Sequence, residues 1–377
     1  MNTEARENAA RELHEQADRM PSSLFETGEL LRLIADRHIA VGGVMGEILQ
    51  PHLGAGFAVL PGRRLESALH YLALGGEAPG TEDFYPCLNG GRDTEPGAAE
   101  RLWPKFERLL NQKSEEISKL LEQPIQTNSP GRSDIFSWAL SRGDDAPALV
   151  GPVRLLEIGA SAGLAALWRS DILNEGGPRI EQRRGCDLNP IDLSQPDGRR
   201  WLKAWQAGTV AGLEKLSILD DTDWLEHMAE QAPIDQEDAR TWLGKRLAEP
   251  WEGTTVVCHS FVQMYVNSEA WADIENALNE RGAMATDRNP IRLIGLNSFP
   301  EPGGKARTQL RISDWVGDGV ERREVFDIAS GSDANPRVDP ATRVVTEVPT
   351  AIPARPAAHT MPVGGQSQLR RTKPRRP

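Results

Sequence analysis

The clearest hydrophobic pattern in the chain is a short run, residues 153–158, that is apolar except at Arg154 and Glu157. A Gly-Pro pair precedes this run and a glycine-containing turn follows it, which indicates a strand buried in a parallel sheet. Residues 162–173 are rich in Ala and Leu, and Leu164, Leu167, Trp168 and Ile172 recur at three- and four-residue spacing, which predicts a helix with one face on the sheet. Together these patterns predict the first strand, turn and helix of a βαβ unit.

Four later segments also have strand character, and helical patterns separate them. Two short segments around a Gly-Asp-Gly turn then predict a hairpin. The predicted strands are residues 179–186, 216–219, 254–258 and 291–296, the hairpin is residues 310–315 with 324–328, and a tryptophan-containing helical insertion is predicted at residues 223–248. The sequence therefore predicts an α/β fold, with a mostly parallel Rossmann-like sheet and an antiparallel C-terminal hairpin.

The first 150 residues have helical spacing and few strand candidates. The predicted helices there are residues 30–39, 65–74 and 106–121. The last is predicted to begin near Pro104, and breaks that contain Pro and Gly separate the three. We expect a helical N-terminal domain at residues 1–150 and an α/β domain at residues 151–332. Residues 333–377 are rich in Pro, Ala and Arg, so a disordered tail is predicted there.

Composition limits the classes of function. The chain has 377 residues, 39% of them hydrophobic and 10 of them Trp, enough for a large core. Its formal charge of −12 and pI near 5.2 argue against nucleic-acid or anionic-membrane partners. Cys87, Cys186 and Cys258 are far apart and the His residues lack ligand spacing, so no disulfide framework and no metal site are expected. No segment is typical of a signal peptide or membrane helix, and a cytoplasmic protein is predicted.

The turn after the first strand contains the candidate chemistry, because it places backbone N–H groups beside a ligand. The dinucleotide pattern needs glycine where Ser161 and Leu164 stand, and the phosphate loop needs a Lys followed by Ser or Thr that is absent. The S-adenosylmethionine turn of Rossmann-like methyltransferases has an acid before three alternating glycines. Glu157, Gly159 and Gly163 match that pattern, with Ser161 in place of the middle glycine. We therefore predict S-adenosylmethionine as the cofactor.

Acids at the ends of the next two predicted strands fit the same cofactor. In nucleotide-binding folds, an acid about 20 residues beyond the glycine turn accepts hydrogen bonds from ribose hydroxyls, and Asp187 stands near that distance. A surface-turn acid is the alternative for Asp187. Asp220 or Asp221 is predicted to accept from the adenine amino group, and the sequence does not distinguish between them.

The end of the fourth predicted strand is the candidate for contact with a small-molecule methyl acceptor. His259 is the predicted general base, because its ordinary pKa of about 6.5 suits neutral pH. A structural role at the strand end is the alternative for His259. Tyr265 and Asn297 are predicted to line the acceptor pocket.

The same turn also permits a hydrolase. Residues 159–163 have the GxSxG sequence of a nucleophile elbow, and Asp220 and His259 follow Ser161 in the chain order of α/β-hydrolases. In that fold several strands precede the elbow, whereas the region before residue 153 is helical here. The hydrolase is therefore an alternative to the methyltransferase.

Six segments together resemble one known family. They are Leu69-His70-Tyr71-Leu72, Phe84-Tyr85-Pro86, Gln126-Thr127-Asn128, residues 156–164, residues 185–192 and His259-Ser260-Phe261-Val262. In collinear order over residues 24–330, they resemble a bacterial family known as domain of unknown function 2332, which has no established reaction. The resemblance implies a methyltransferase-like core with a helical N-terminal domain, and it implies that Gln126, Thr127 and Asn128 reach the cofactor cleft.

The fourth predicted strand ends in His259-Ser260, not in the Asn/Asp-Pro-Pro-Tyr of many N-methyltransferases, so methylation of a base or amide nitrogen is not supported. A second hypothesis is a non-catalytic protein of the same fold that binds a nucleotide or another protein, because a fold does not determine a function.

Overall fold

The computed structural model describes residues 3–20, 24–53, 60–90, 92, 94–126, 132–142, 147–167, 179–206, 217–300, 306–329 and 337–350. Within these ranges it is a mixed α/β fold with eleven α-helices and one eight-stranded sheet. The helices are α1 (Thr3–Asp18), α2 (Phe25–Ile34), α3 (Met45–Leu49), α4 (Pro61–Leu74), α5 (Ala98–Gln112), α6 (Ser114–Leu121), α7 (Ser133–Leu140), α8 (Pro196–Ala204), α9 (Thr222–Gln231), α10 (Ala239–Ala248) and α11 (Ser268–Ala283). The strands are β1 (Val153–Ile158), β2 (Ile180–Asp187), β3 (Ile234–Gln236), β4 (Thr254–Ser260), β5 (Ile291–Pro300), β6 (Ala306–Trp315), β7 (Val320–Ala329) and β8 (Arg337–Pro349).

Helices α1 to α6 share one apolar core. Leu13 of α1, Leu31 of α2, Leu65 of α4 and Phe106 of α5 are all fully buried in it. The first predicted helix is present, but its second half is a π-helical turn, Ala35–Ile39, that continues α2. The predicted helical character of the N-terminal region is therefore found in the described residues.

The predicted start of the long N-terminal helix at Pro104 is wrong. Helix α5 begins at Ala98, directly after Gly97 in a left-handed conformation, and Pro104 lies inside it. The helical run is then interrupted at Lys113, where α6 follows. The helix begins where Gly97 adopts a left-handed conformation that favours glycine, so Pro104 does not mark its first turn.

The strands lie in the order β3-β2-β1-β4-β5-β6-β7-β8. Strands β1 to β5 pair with one another in parallel. The pairs β5 with β6, β6 with β7 and β7 with β8 are antiparallel. Alternate residues of β1 enter two cores, since Leu155 packs in the core that contains α7 and Leu156 in the core that contains α10 and α11. The predicted strands at residues 179–186, 254–258 and 291–296 and the predicted hairpin are confirmed.

The predicted third strand at residues 216–219 is wrong. Ser217–Asp220 is a 3-10 helix, and Leu219 is buried against Leu202 and Leu225, outside the sheet. The neighbour of β2 is β3, inside the predicted helical insertion, which is therefore two helices on either side of a short strand. A short apolar run is compatible with a helix as well as with a strand. Here the segment is helical and packs against Leu202 and Leu225.

The helix predicted directly after the glycine turn is not found where the structure describes the chain. Residues 159–167 form turns, and Ala160, Ala165 and Leu167 pack into the same core as α7. The rest of that predicted helix, residues 168–173, lies outside the described residues.

The prediction that the chain is disordered from residue 333 is wrong for residues 337–349. These residues form β8, which pairs antiparallel with β7 at the edge of the sheet. Ion pairing helps to fix β8, since the partly exposed Arg343 of β8 binds the buried Glu324 carboxylate on β7. Residues 351–377 lie outside the described part of the chain.

Candidate functional site

A cavity of about 460 Å³ lies at the carboxyl ends of β1 to β4. Its walls include Gly159 after β1, Asp187 at the end of β2, Glu237 after β3 and Ser260 at the end of β4. The N-terminal helices contribute Arg64 from α4. We call this cavity the cleft. The carboxyl edge of the parallel strands is where open α/β sheets bind ligands.

The turn after β1 brings its backbone close to the opposite wall of the cleft. Gly159 has a φ of 66°, and a Cβ at this position would lie 2.3 Å from Cγ2 of Val262. Ser161 also has a positive φ, 54°, which is uncommon for a residue with a side chain. Ser161 therefore has the backbone conformation of the glycine that it replaces in the predicted motif.

Ser161 and Asp187 are joined by hydrogen bonds. The backbone N–H of Ser161 donates to Oδ2 of Asp187 at 2.9 Å, and the N–H of Asn189 donates to Oδ1 at 2.8 Å. The Ser161 hydroxyl donates to Oε1 of Gln126, whose Nε2 donates to the Asn189 carbonyl at 3.3 Å. These bonds fix the Asp187 carboxylate in the cleft wall and connect it to the segment before α7.

Glu157 lines the cleft from inside the core, with 1% of its surface exposed. Its Oε2 accepts a hydrogen bond from the N–H of Ala166 at 3.3 Å. Burial raises the pKa of Glu157 to about 8, although backbone N–H groups and Arg132 act in the opposite direction. The carboxyl group is therefore mainly protonated at neutral pH.

Arg132, directly before α7, faces Glu157 across the cleft. Its guanidinium donates to the Ser260 hydroxyl at 3.0 Å and lies 4.3 Å above the ring of Phe261. Phe261 has a φ of 60°. Of the three non-glycine residues with positive φ in the described ranges, Ser161 lines the cleft and Phe261 stands between Ser260 and Val262, which line it. Burial lowers the pKa of Arg132 to about 10, which leaves the group charged at neutral pH.

Tyr265 and Arg64 complete this side of the cleft. Arg64 donates to the carbonyls of Leu121 and Gln123 at 2.7 and 2.9 Å. Burial lowers the pKa of Arg64, and the nearby Tyr265 acts against that shift as it does for Arg132. The cleft therefore has two guanidinium groups and a phenol on the side of β4 and the N-terminal helices.

The sequence analysis missed two acids on the opposite side, Glu237 and Asp238. Both line the cleft and follow β3, and Glu237 pairs with Lys245. Asp238 caps α10 and binds the guanidinium of Arg240 through both carboxylate oxygens at 3.0 Å. An Asp directly before a helix is a signal of an N-cap that the sequence contains, but predicting the third strand at residues 216–219 puts Glu237 and Asp238 inside a helical insertion and away from any strand end.

Asp220 and Asp221, predicted to contact adenine, are not in the cleft. Asp220 is exposed and pairs with Lys203 of α8. Asp221 is the N-cap of α9, where its side chain accepts from the N–H of Trp224 at 3.0 Å. Neither residue ends a strand, because residues 217–220 are a 3-10 helix, and this removes the basis of the prediction.

His259, the predicted base, is buried beside β5 and is not a cleft-lining residue. Its ring packs edge-on against Trp271, with centroids 4.9 Å apart, and a Cβ at Gly295 would lie 2.3 Å from its Nε2. Burial lowers its pKa to about 3, and Nδ1 has no hydrogen-bond partner among the described residues. A neutral ring in the core fits the structural alternative.

The other predicted site residues divide in a similar way. Gln126 and Tyr265 line the cleft, whereas Gly163 lines a separate cavity beside α9. Asn297 is buried outside the cleft and donates to Oε1 of Gln263 at 3.0 Å. Thr127 and Asn128 lie outside the described residues.

Two further searches concern the described ranges alone. In them, no group of three or more His, Cys, Asp and Glu side chains is arranged to hold a metal ion. None of the helices described above combines the length and the apolar character needed to cross a membrane.

Comparison with known proteins identifies the family. Residues 10–170 and 164–331 match the sequence profile of the family described as "Uncharacterized protein conserved in bacteria (DUF2332)", and the chain belongs to that family. No curated protein and no solved structure matches the chain.

Proposed function

We propose that the protein is an S-adenosylmethionine-dependent methyltransferase that acts on a small-molecule acceptor. The observation that supports this most directly is the Asp187 carboxylate, held beside the close-approach turn of Gly159 and Ser161 in one cleft. The strand order β3-β2-β1-β4-β5 is that of doubly wound nucleotide-binding sheets, in which ligands bind where the order reverses. The cleft begins at that point, between β1 and β4.

In this proposal the two sides of the cleft bind different parts of the reactants. Each Asp187 oxygen accepts one backbone N–H, which leaves lone pairs for the two ribose hydroxyls of an adenosine. Gly159 lets the turn beside Asp187 pass close to Val262, where a Cβ would lie 2.3 Å from Cγ2. Tyr265 and Ser260 then face the acceptor at the end of β4.

S-adenosylmethionine supplies an electrophilic methyl group when it is bound. The protein holds the acceptor in line with that group, and alignment of two reactants can supply much of the acceleration. His259 takes no part in this proposal, because its ring lies outside the cleft. The hydrolase alternative lacks support as well, since the Ser161 hydroxyl donates to an amide oxygen and not to a base.

Calorimetry with S-adenosylmethionine and S-adenosylhomocysteine tests the proposal. We expect both to bind, and Asp187→Asn to weaken binding at least tenfold, because charged hydrogen bonds of about 1.5–3 kcal/mol are lost. Asp220→Asn is the matched control. The sequence also predicts this exposed acid to bind the cofactor, but it lies outside the cleft, so the variant should bind both nucleosides with the affinity of the wild type.

Three outcomes would contradict the proposal. Equal binding by the wild type and Asp187→Asn would exclude the ribose contact. Covalent labelling of Ser161 by a fluorophosphonate, without cofactor binding, would favour the hydrolase. Cofactor binding with no methyl transfer to any acceptor in a small-molecule panel would support a non-catalytic binding protein instead.

A further inference from the structure

The charges of the cleft are compensated unequally on its two sides. On the side of β2 and β3, Glu237 pairs with Lys245 and Asp238 pairs with Arg240. Asp187 accepts two backbone N–H groups. Each acid on this side therefore has a positive or dipolar partner within the protein.

Arg132, on the other side, has no such partner among the described residues. Its neighbours are a hydroxyl group, on Ser260, and an aromatic face, on Phe261. Among the residues that the structure describes, no carboxylate forms an ion pair with it. Glu157 is an acid whose charge would favour the charged form of Arg132, but that carboxyl group is itself buried and mainly protonated at neutral pH. A partly buried guanidinium with no counter-charge among the described residues is costly, and an anionic ligand would reduce that cost.

The surroundings of Arg132 indicate which ligand could supply the anion. Arg64 adds a second positive charge, with its hydrogen bonds directed to carbonyls, and Tyr265 adds a phenol. Val262 and Val266 give the same part of the cleft an apolar wall. A planar guanidinium beside a hydroxyl matches the geometry of a carboxylate or phosphate.

We propose that the methyl acceptor is an anionic small molecule, and that Arg132 binds its carboxylate or phosphate group at the end of β4. This inference rests on the proposed methyltransferase function, because it assigns the side of Asp187 to the cofactor and the side of Arg132 to the acceptor. It makes Arg132 a specificity-determining residue that sequence analysis did not identify.

Matched acid and neutral probes test the inference. Benzoate with benzamide, and phenyl phosphate with phenol, are titrated by calorimetry into the protein saturated with S-adenosylhomocysteine. We expect at least one acid to bind at least tenfold more tightly than its neutral analogue. Arg132→Gln should remove that preference, and Arg132→Lys, which keeps the charge without the planar fork, should retain part of it.

Arg240→Gln is the matched control, because Arg240 also lines the cleft but is already paired with Asp238. We expect this variant to keep the preference for the acid. Protection of Arg132 from phenylglyoxal by the bound acid, measured by peptide mass spectrometry, would locate the anion directly. Equal binding of acids and neutral analogues by the wild type would overturn the inference.

A second comparison separates the acceptor from the cofactor as the source of the anion. Arg132→Gln should bind S-adenosylhomocysteine within about threefold of the wild type. A tenfold loss, with unchanged binding of 5′-methylthioadenosine, which lacks the carboxylate, would assign Arg132 to the cofactor and overturn the inference. If the wild type binds neither nucleoside, the proposed function fails, and titration of the same probes into the ligand-free protein still decides whether Arg132 selects anions.

Discussion

Buried charged side chains form ion pairs in the antiparallel part of the sheet, whereas two of those that line the cleft do not pair with each other. In β5 to β7, Arg292 binds Asp314 at 2.7 Å with both side chains almost fully buried, and Glu324 binds two arginines. In the cleft, Arg132 and Glu157 face each other without an ion pair. The first arrangement pairs its charges within the protein, whereas under the proposals above a ligand supplies the partner that Arg132 lacks in the second. On that proposal, ion pairing distinguishes the charges that support the fold from those that bind a ligand.

The largest expected effect concerns the complete arrangement. Arg292→Ala should lower the free energy of unfolding by about 3–5 kcal/mol, because it leaves Asp314 buried without its partner. Urea denaturation measures the loss. Replacing both residues, Arg292→Met with Asp314→Leu, should restore most of the stability. A loss below about 1 kcal/mol in the single variant would contradict the comparison.

The next effect concerns the turn of the cleft. Gly159→Ala should weaken binding of S-adenosylhomocysteine more than tenfold, because the new Cβ would meet Val262 and the backbone is left-handed. Gly163→Ala is the control, since it has a similar φ of 74° but its Cβ would find ordinary contacts. Val262→Ala should rescue Gly159→Ala in part. Equal losses of affinity in the two alanine variants would show that backbone strain, and not contact between the new Cβ and Val262, weakens binding.

The third prediction separates buried His259 from the cleft. Its pKa of about 3 lies below the ordinary value of 6.5, so the unfolded chain binds the extra proton and stability falls as the pH drops below 6.5. We expect this residue to contribute about 1.4 kcal/mol per pH unit to that fall. Urea unfolding of His259→Leu between pH 6.5 and 4.5 should show a shallower dependence, with cofactor affinity unchanged. A parallel dependence in both proteins would contradict the burial argument.

The smallest effect concerns Glu157, whose pKa is raised to about 8 by burial. Arg132, Asp187 and the Cys258 thiol surround this carboxyl group. Binding of a cationic sulfonium nearby should favour the carboxylate and release up to about one proton at pH 7, whereas the uncharged thioether of S-adenosylhomocysteine should release less. Calorimetry in two buffers of different ionisation enthalpy counts the protons. Glu157→Gln should abolish the difference, and equal release by the two ligands would refute it.

The sequence was informative where the pattern was local. The run at β1, the turn at Gly159 and the acid at Asp187 all follow from neighbouring residues, and the structure brings these residues to one cleft. The strands β2, β4 and β5 and the hairpin of β6 and β7 are also local patterns with strong β propensity. Each of these features could be recognised without knowing what packs against it.

The parts that sequence analysis missed depend on distant partners. Strand β3 is only three residues long and contains Asp235, which pairs with Arg184 of β2 and Arg246 of α10. Arg132 meets Ser260 from 128 positions away. His259 was predicted to contact the acceptor, but its ring packs against Trp271, in the core that contains α10 and α11. Side-chain direction along a strand alternates, so a shift of one residue changes the face.

Strand β8 lies beyond residue 331, where the family match ends. A protein trimmed to the matched region would lose Arg343, one of the two arginine partners of Glu324, and would expose the edge of β7 that pairs with β8. Unprotected edge strands recruit other chains and aggregate, whereas β8 carries Pro340 and Pro349, which limit such pairing. Soluble expression for any of these experiments should therefore extend at least through Thr350.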